Sequence, residues 1–188
     1  MEPHSDILIL GIGNVLLTDE GVGVRVVNEL QRRYRFSPGV EIMDGGTAGI
    51  ELLRYLGNRT HLIIIDAMAG GRKPGTVTRV EGDAVPAIFK TRISPHQLGL
   101  SDLLASAMLT GEMPENLVMF GIEPANLDTG IDLSEPVEAI MGSLLEAICN
   151  ELTALGVTIL PLPGDFSGKA RFWEATHNRQ DVPPGGIY

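Results

Sequence analysis

The sequence predicts an α/β fold of three layers: a twisted, mostly parallel central sheet of about five strands with helices on both faces. Three observations carry this. Short apolar runs recur at residues 7–10, 40–43, 62–65 and 117–122, each the length of a strand and apolar at nearly every position, as strands covered on both faces are. Segments with helical spacing alternate with them, which favours parallel strands joined by helical crossovers. Gly, Pro and Asp residues punctuate the junctions.

The first strand, Ile7, Leu8, Ile9 and Leu10, is closed by Gly11 and Gly13, and a loop then carries two adjacent acids, Asp19 and Glu20. From about 19 to 34 the spacing is helical, with Val22, Val26, Val27 and Leu30 on one side and Arg25, Asn28, Glu29, Arg32 and Arg33 largely on the other. Ser37, Pro38 and Gly39 make a turn into the second strand, which ends at Asp44-Gly45-Gly46-Thr47. Thr47 is suited to cap a helix over 49–56. The run 62–65 is the most apolar and is expected at the centre of the sheet; it stops at Asp66. A loop over 67–75 leads to an alternating, half-exposed strand over 76–80 and a short helix or turn over 84–89. Pro95 disfavours helix at Ser94, so His96 is expected in or just after a loop. A helix over 98–109 follows, with Leu100, Leu103, Leu104, Ala107 and Met108 on one side and Gly111 as its stop. After the strand ending at Glu123-Pro124, Ser134 is placed to cap a long helix whose stripe runs through Val137, Ile140, Met141, Leu144, Leu145, Ile148, Leu152 and Leu155, with Gly156 closing it. A last short strand is expected over 157–160. These elements make one domain over 1–160. Residues 161–188 are rich in Pro, Gly and charge and are expected to form an extended or partly disordered tail, docked through Phe172 and Trp173.

Composition narrows the class. A chain of 188 residues buries one core without staples. No apolar run approaches the roughly 20 residues of a membrane helix, so no membrane insertion is expected. MEPHSD at the start lacks the basic flank and apolar region of a signal peptide, which makes the cytoplasm the default compartment. The lone Cys149 excludes an intrachain disulfide framework and a multi-cysteine metal site. A formal net charge of −10 argues against nucleic acid and anionic membranes, both of which call for a basic surface. Clustered carboxylates suit cations better.

Glu20, Asp66 and His96 stand out by position, each in a loop leaving a strand or entering a helix, where open α/β sheets hold their ligands. Two carboxylate oxygens and an imidazole nitrogen suit a divalent ion such as nickel or zinc, and three protein ligands leave positions open for a substrate. Other roles compete: a surface or capping His96, a Glu20 that complements a helix N-terminus, an Asp66 bonded to backbone amides of the next loop. His4 and His177 lie near the ends, and His61 begins a strand at the wrong edge. Gly11-Ile12-Gly13 begins like a dinucleotide fingerprint, but Leu16 stands at the third glycine position and no Walker pattern occurs. Neither a Gly-x-Ser-x-Gly elbow nor a His-Glu-x-x-His helix is found, and Cys149 lies beside an apolar stripe.

Four segments in this order, GIGNVLLTDEGVGV from Gly11, DGGTAGIELL from Asp44, HLIIIDA from His61 and ISPHQLGLSDLL from Ile93, resemble the hydrogenase maturation endopeptidases. These trim the C-terminus of the nickel-iron hydrogenase large subunit. The resemblance covers about 7–160 and excludes the tail. It implies a metal-binding role for Glu20, Asp66 and His96, with nickel supplied by the precursor of the large subunit; zinc or cadmium would substitute in a crystal. It maps the family's DGGT segment onto Asp44, Gly45, Gly46 and Thr47 and leaves the segment's part open between chemistry, substrate recognition and loop geometry; Asp44 is the candidate carboxylate for handling protons, and Gly45, Gly46 and Thr47 are the candidate substrate-binding residues. A monomer or weak oligomer is expected. The rival readings are a non-proteolytic nickel-sensing chaperone for the same subunit and a nucleotide-binding or glycosidic-bond enzyme on a similar sheet.

Overall fold

A computed structural model describes residues 6–89 and 95–164, with the side chains of 89 and 95–98 outside that description. The elements follow in the order β1 (Ile7–Ile12), α1 (Val22–Arg33), β2 (Tyr34–Phe36), β3 (Val40–Gly46), β4 (His61–Ala67), β5 (Val77–Glu81), α2 (Ala84–Phe89), α3 (Pro95–Thr110), β6 (Asn116–Ile122), α4 (Glu135–Ala154) and β7 (Ile159–Pro161). Two 3-10 turns are inserted, Thr18–Gly21 before α1 and Ile50–Tyr55 after β3.

The main sheet has the order β3-β1-β4-β6-β5. β1 is parallel to β3 and β4, and β4 is parallel to β6; β5 alone runs antiparallel, on the edge against β6. This is the predicted mostly parallel, five-stranded α/β sheet. All six positions of β1 are buried, and strand alternation divides the apolar runs between two cores. Ile7, Ile9, Ile63 and Ile65 pack with Val26, Val27 and Leu30 of α1 and Leu144, Ile148 and Leu152 of α4. Leu8, Leu10, Leu62 and Ile64 pack on the other face with Leu52, Leu56 and the α3 residues Leu100, Leu103 and Leu104. The helical stripes read from the sequence are the faces that bury, except at their C-terminal ends, where Met108 and Leu155 are exposed.

Some local expectations give way. The helix expected from 19 begins as an α-helix only at Val22, because Thr18 has φ 40° and the next residues form a 3-10 turn. The segment over 50–55 is also 3-10, and Gly49, rather than Thr47, holds its N-cap position, with the Gly49 N–H donating to the Glu51 carboxylate at 3.0 Å. Tyr34–Phe36, expected as the end of a helix and a loop, forms a second, two-stranded antiparallel sheet with β7. Pro161, placed in the tail by composition, closes β7, and Leu162 N–H donates to Arg33 O at 2.7 Å. The remainder of the predicted tail, with Phe172 and Trp173, lies outside the described residues. α4 ends as expected: Gly156 has φ 82° and the Val157 N–H closes on Leu152 O at 3.0 Å. Among the described residues, no helix is long and apolar enough to cross a membrane.

Candidate active site

The strand order makes the boundary between β1 and β4 a topological switch point. From β1 the chain crosses through α1 to β3 on one side, whereas β4 leads to β6 and β5 on the other. Connections that diverge in this way leave an opening at the carboxyl ends of the strands, where ligands bind in open α/β sheets.

Glu20 and Asp66 are brought to that opening. Glu20 lies in the 3-10 turn after β1 and Asp66 is the penultimate residue of β4; both are buried. The 3-10 turn packs against β4, and glycines make this approach possible. A Cβ on Gly23, near the start of α1, would overlap the carbonyl oxygens of Ile65 and Ile12, and one on Gly11 would overlap Gly23 O. Gly13, with φ 133°, passes beneath the Glu20 carbonyl, which a Cβ would strike. The Gly-x-Gly signal therefore marks close packing of backbone on backbone, and no phosphate cradle is needed to account for it.

His96 lies in the first turn of α3. The helix begins at Pro95, three residues earlier than the apolar spacing indicates, because proline lacks the N–H that a first helical turn leaves unbonded and its fixed φ suits that turn. α3 leads into the amino end of β6, so its own N-terminus stands at the carboxyl side of the sheet. A Cβ on Gly49 would sit 3.1 Å from Gly99 Cα, which fixes this end of α3 against the loop after β3. Asp66 shares a strand face with Leu62 and Ile64, the face that α3 covers. The fold thus places the turn bearing Glu20, the strand end bearing Asp66 and the helix end bearing His96 at the carboxyl edge of the sheet, although α1 and α3 cover its opposite faces. Among the described side chains, no three of His, Cys, Asp and Glu converge to hold a metal; the His96 side chain lies outside that set.

Asp44, third from the end of β3, borders a cleft of about 190 Å³ lined by Gly13, Asn14, Val15, Val24, Gly46 and Thr47. Its Oδ1 accepts the Gly46 N–H at 2.9 Å. Partial burial nevertheless raises its pKa above the ordinary carboxylate range, outweighing that bond. Gly13 N–H donates to Gly46 O at 2.8 Å, joining the loops after β1 and β3. Gly45 is buried, and a Cβ there would meet Ile12 Cδ1 at 2.8 Å.

Two further buried acids organise the surroundings, and the sequence reading assigned neither a role. Asp19 accepts four hydrogen bonds: from Ala125 N–H at 2.8 Å and Asn126 N–H at 3.0 Å, and from the Ser134 N–H at 2.8 Å and hydroxyl at 2.7 Å. Ser134 occupies the N-cap position of α4 as expected, but its hydroxyl donates to Asp19 and makes no cap bond. Glu123 accepts the Gly70 and Gly71 N–H groups at 2.8–2.9 Å, tying the loop after β4 to the end of β6. Nothing in the order Asp19-Glu20 distinguishes the structural acid from its neighbour; the glycine pair at 70–71 is a faint signal for Glu123. Because Asp19→Ala leaves several part-buried donors unanswered, it is expected to lower stability by about 3 kcal/mol. A urea denaturation midpoint falls accordingly, and less for Asp19→Asn, which keeps one acceptor.

Two buried acids, Glu20 and Asp66, thus stand at the carboxyl end of a mostly parallel sheet. The family model described as HycI, hydrogenase maturation protease, matches residues 24–151. The chain belongs to the hydrogenase maturation protease family and is a peptide-bond hydrolase. It is 47% identical over 156 residues to the hydrogenase 2 maturation protease of Escherichia coli, covering 82% of this chain and 95% of that protein. It is 46% identical over 162 residues to the hydrogenase expression/formation protein HupM of Azotobacter chroococcum, covering 85% and 78%. Among solved structures, the hydrogenase maturating endopeptidase HybD from E. coli superposes with a TM-score of 0.80 at 47% identity, over 82% of this chain and 96% of that one. The [NiFe] hydrogenase maturation protease HybD from Thermococcus kodakarensis gives 0.65 at 28% identity, over 78% and 97%.

Proposed function

We propose that this chain removes a short C-terminal peptide from the precursor of a nickel-iron hydrogenase large subunit, and that it recognises the nickel carried by that precursor through Glu20, Asp66 and His96. The observation that supports this most is the burial of Asp66 and Glu20 at the divergence of β1 and β4. Carboxylates at a low-dielectric strand end attract a divalent cation more strongly than they would in open water, and such a cation arrives with the substrate. The donor types fit: two carboxylates and an imidazole suit a borderline ion such as nickel, with zinc or cadmium as substitutes, and leave coordination positions for the precursor's own ligands.

Each residue then has a task. Glu20 and Asp66 hold the cargo at the sheet end, their positions set by the backbone contacts of Gly13 and Gly23. The ion, when bound, polarises a carbonyl or lowers the pKa of a water. Asp44 handles the proton: Gly46 N–H occupies Oδ1, which leaves Oδ2 to carry it, and the raised pKa keeps it there to higher pH than an ordinary carboxyl would. Gly46 and Thr47 line the cleft into which the chain next to the scissile bond fits.

The test is to incubate the protein with the precursor, loaded or unloaded with nickel, and to weigh the products by mass spectrometry. Loss of a C-terminal peptide only from the loaded precursor is expected. An unchanged mass for a loaded precursor that demonstrably binds would sink the peptidase activity on this substrate and leave the chaperone. Equal cleavage with and without nickel would remove the metal from recognition.

A further inference from the structure

The loops after β1 and β6 form one hydrogen-bonded unit. Leu17 and Gly130 form a bridge, with Gly130 N–H donating to Leu16 O at 2.9 Å and Thr18 N–H to Gly130 O at 2.8 Å. The Thr18 hydroxyl donates to Asn126 O at 2.6 Å, and Asp19 clamps Ala125, Asn126 and Ser134. Loops so bonded are ordered in advance, yet this pair leaves three large apolar side chains in water: Leu16 is 59% exposed, Leu127 43% and Ile131 42%. Exposed Asp128 and Asp132 flank them. The unit runs directly into Glu20, the residue after Asp19. Rigid apolar side chains beside a site, within an acidic border, have the character of an interaction surface.

We propose that this paired-loop unit docks the body of the protein substrate, engaging an apolar surface segment bordered by Lys or Arg. The assignment rests on the reading that the chain acts on a protein precursor, since a peptidase with one protein substrate needs contacts away from the scissile bond to select it. Leu16, Leu127 and Ile131 supply the apolar anchors. Asp128 supplies charge complementarity, which acts mainly on encounter and is screened by salt. Docking here delivers the substrate next to Glu20 without using the Asp44 cleft.

The experiment is calorimetric binding of the nickel-loaded precursor to the full chain, with cleavage read separately by mass. The triple variant Leu16→Ser, Leu127→Ser, Ile131→Ser is expected to bind about tenfold or more weakly, while its cleavage rate at saturating precursor and its melting temperature stay unchanged. Asp128→Lys is expected to weaken binding and to reduce its salt dependence. Leu109→Ser, at an 89% exposed leucine near the C-terminus of α3 and the opposite end of the sheet, is expected to bind as the wild type does. Triple-variant binding within about twofold of wild type, or an equal loss in Leu109→Ser, overturns the docking surface. A wild type that binds without cutting would remove the peptidase reading and leave the surface standing; one that cuts while the triple variant binds normally would do the reverse.

Discussion

Asp66→Asn is expected to abolish processing while leaving the protein folded. The substitution keeps the shape of a side chain sealed within the end of β4 and removes its charge. The isosteric amide preserves the packing at the strand end, so the urea midpoint is expected to change little. Cleavage of the nickel-loaded precursor, followed by mass spectrometry, is expected to fall by about two orders of magnitude or more, the scale of losing one group that meets the reacting centre. Glu20→Gln and His96→Gln follow the same pattern, although Glu20 lies in a turn held by neighbouring bonds and Asp66 in a strand. Full activity in all three variants would remove the metal-binding assignment. A large drop in stability for Asp66→Asn with proportional loss of activity would make Asp66 a structural acid like Asp19.

The second large effect is steric. In Gly23→Ala the new methyl overlaps the carbonyl oxygens of Ile65 and Ile12, both backbone atoms of the central strands, so relief requires α1 to lift from the sheet. Overpacking against backbone is expected to cost about 3 kcal/mol or more, and for a domain of this size the melting temperature falls by roughly 10 °C. Gly142→Ala in α4 supplies the contrast. It has open space around it, and an alanine there is expected to be neutral or to stabilise by up to about 1 kcal/mol. Because the clash in Gly23→Ala lies three residues from Glu20 and one from Asp66, cleavage measured well below the lowered melting point is expected to drop as well. Normal processing at that temperature would show that the spacing between α1 and β4 tolerates change.

The strands were legible because their apolar runs are covered on both faces, and β1 and β4 in particular are buried through nearly their whole length. Asp66 was legible for the same reason: an acid directly after Leu62, Ile63, Ile64 and Ile65 contradicts its surroundings unless it has a task. The small sheet of β2 and β7 was not, since three-residue strands carry too little periodicity and their pairing joins residues more than a hundred positions apart in sequence. The first turn of α3 was hidden because its apolar stripe begins only at Leu100, after the capping turn that holds His96. Asp19 was hidden by its neighbour: adjacent acids look alike until a partner from residues 125–134 selects one of them.

That selection has a consequence for when the site comes into being. The bonds between Asp19 and Ser134 close a ring of chain 115 positions long, and contacts of such separation form late because the entropy of closing the ring must be met first. A nascent or shortened chain that stops before Ala125 still carries every strand of the main sheet, yet the turn presenting Glu20 lacks its bonds to Ala125, Asn126, Gly130 and Ser134. Proteolytic competence is therefore conferred near the end of folding, by residues that take no part in the chemistry.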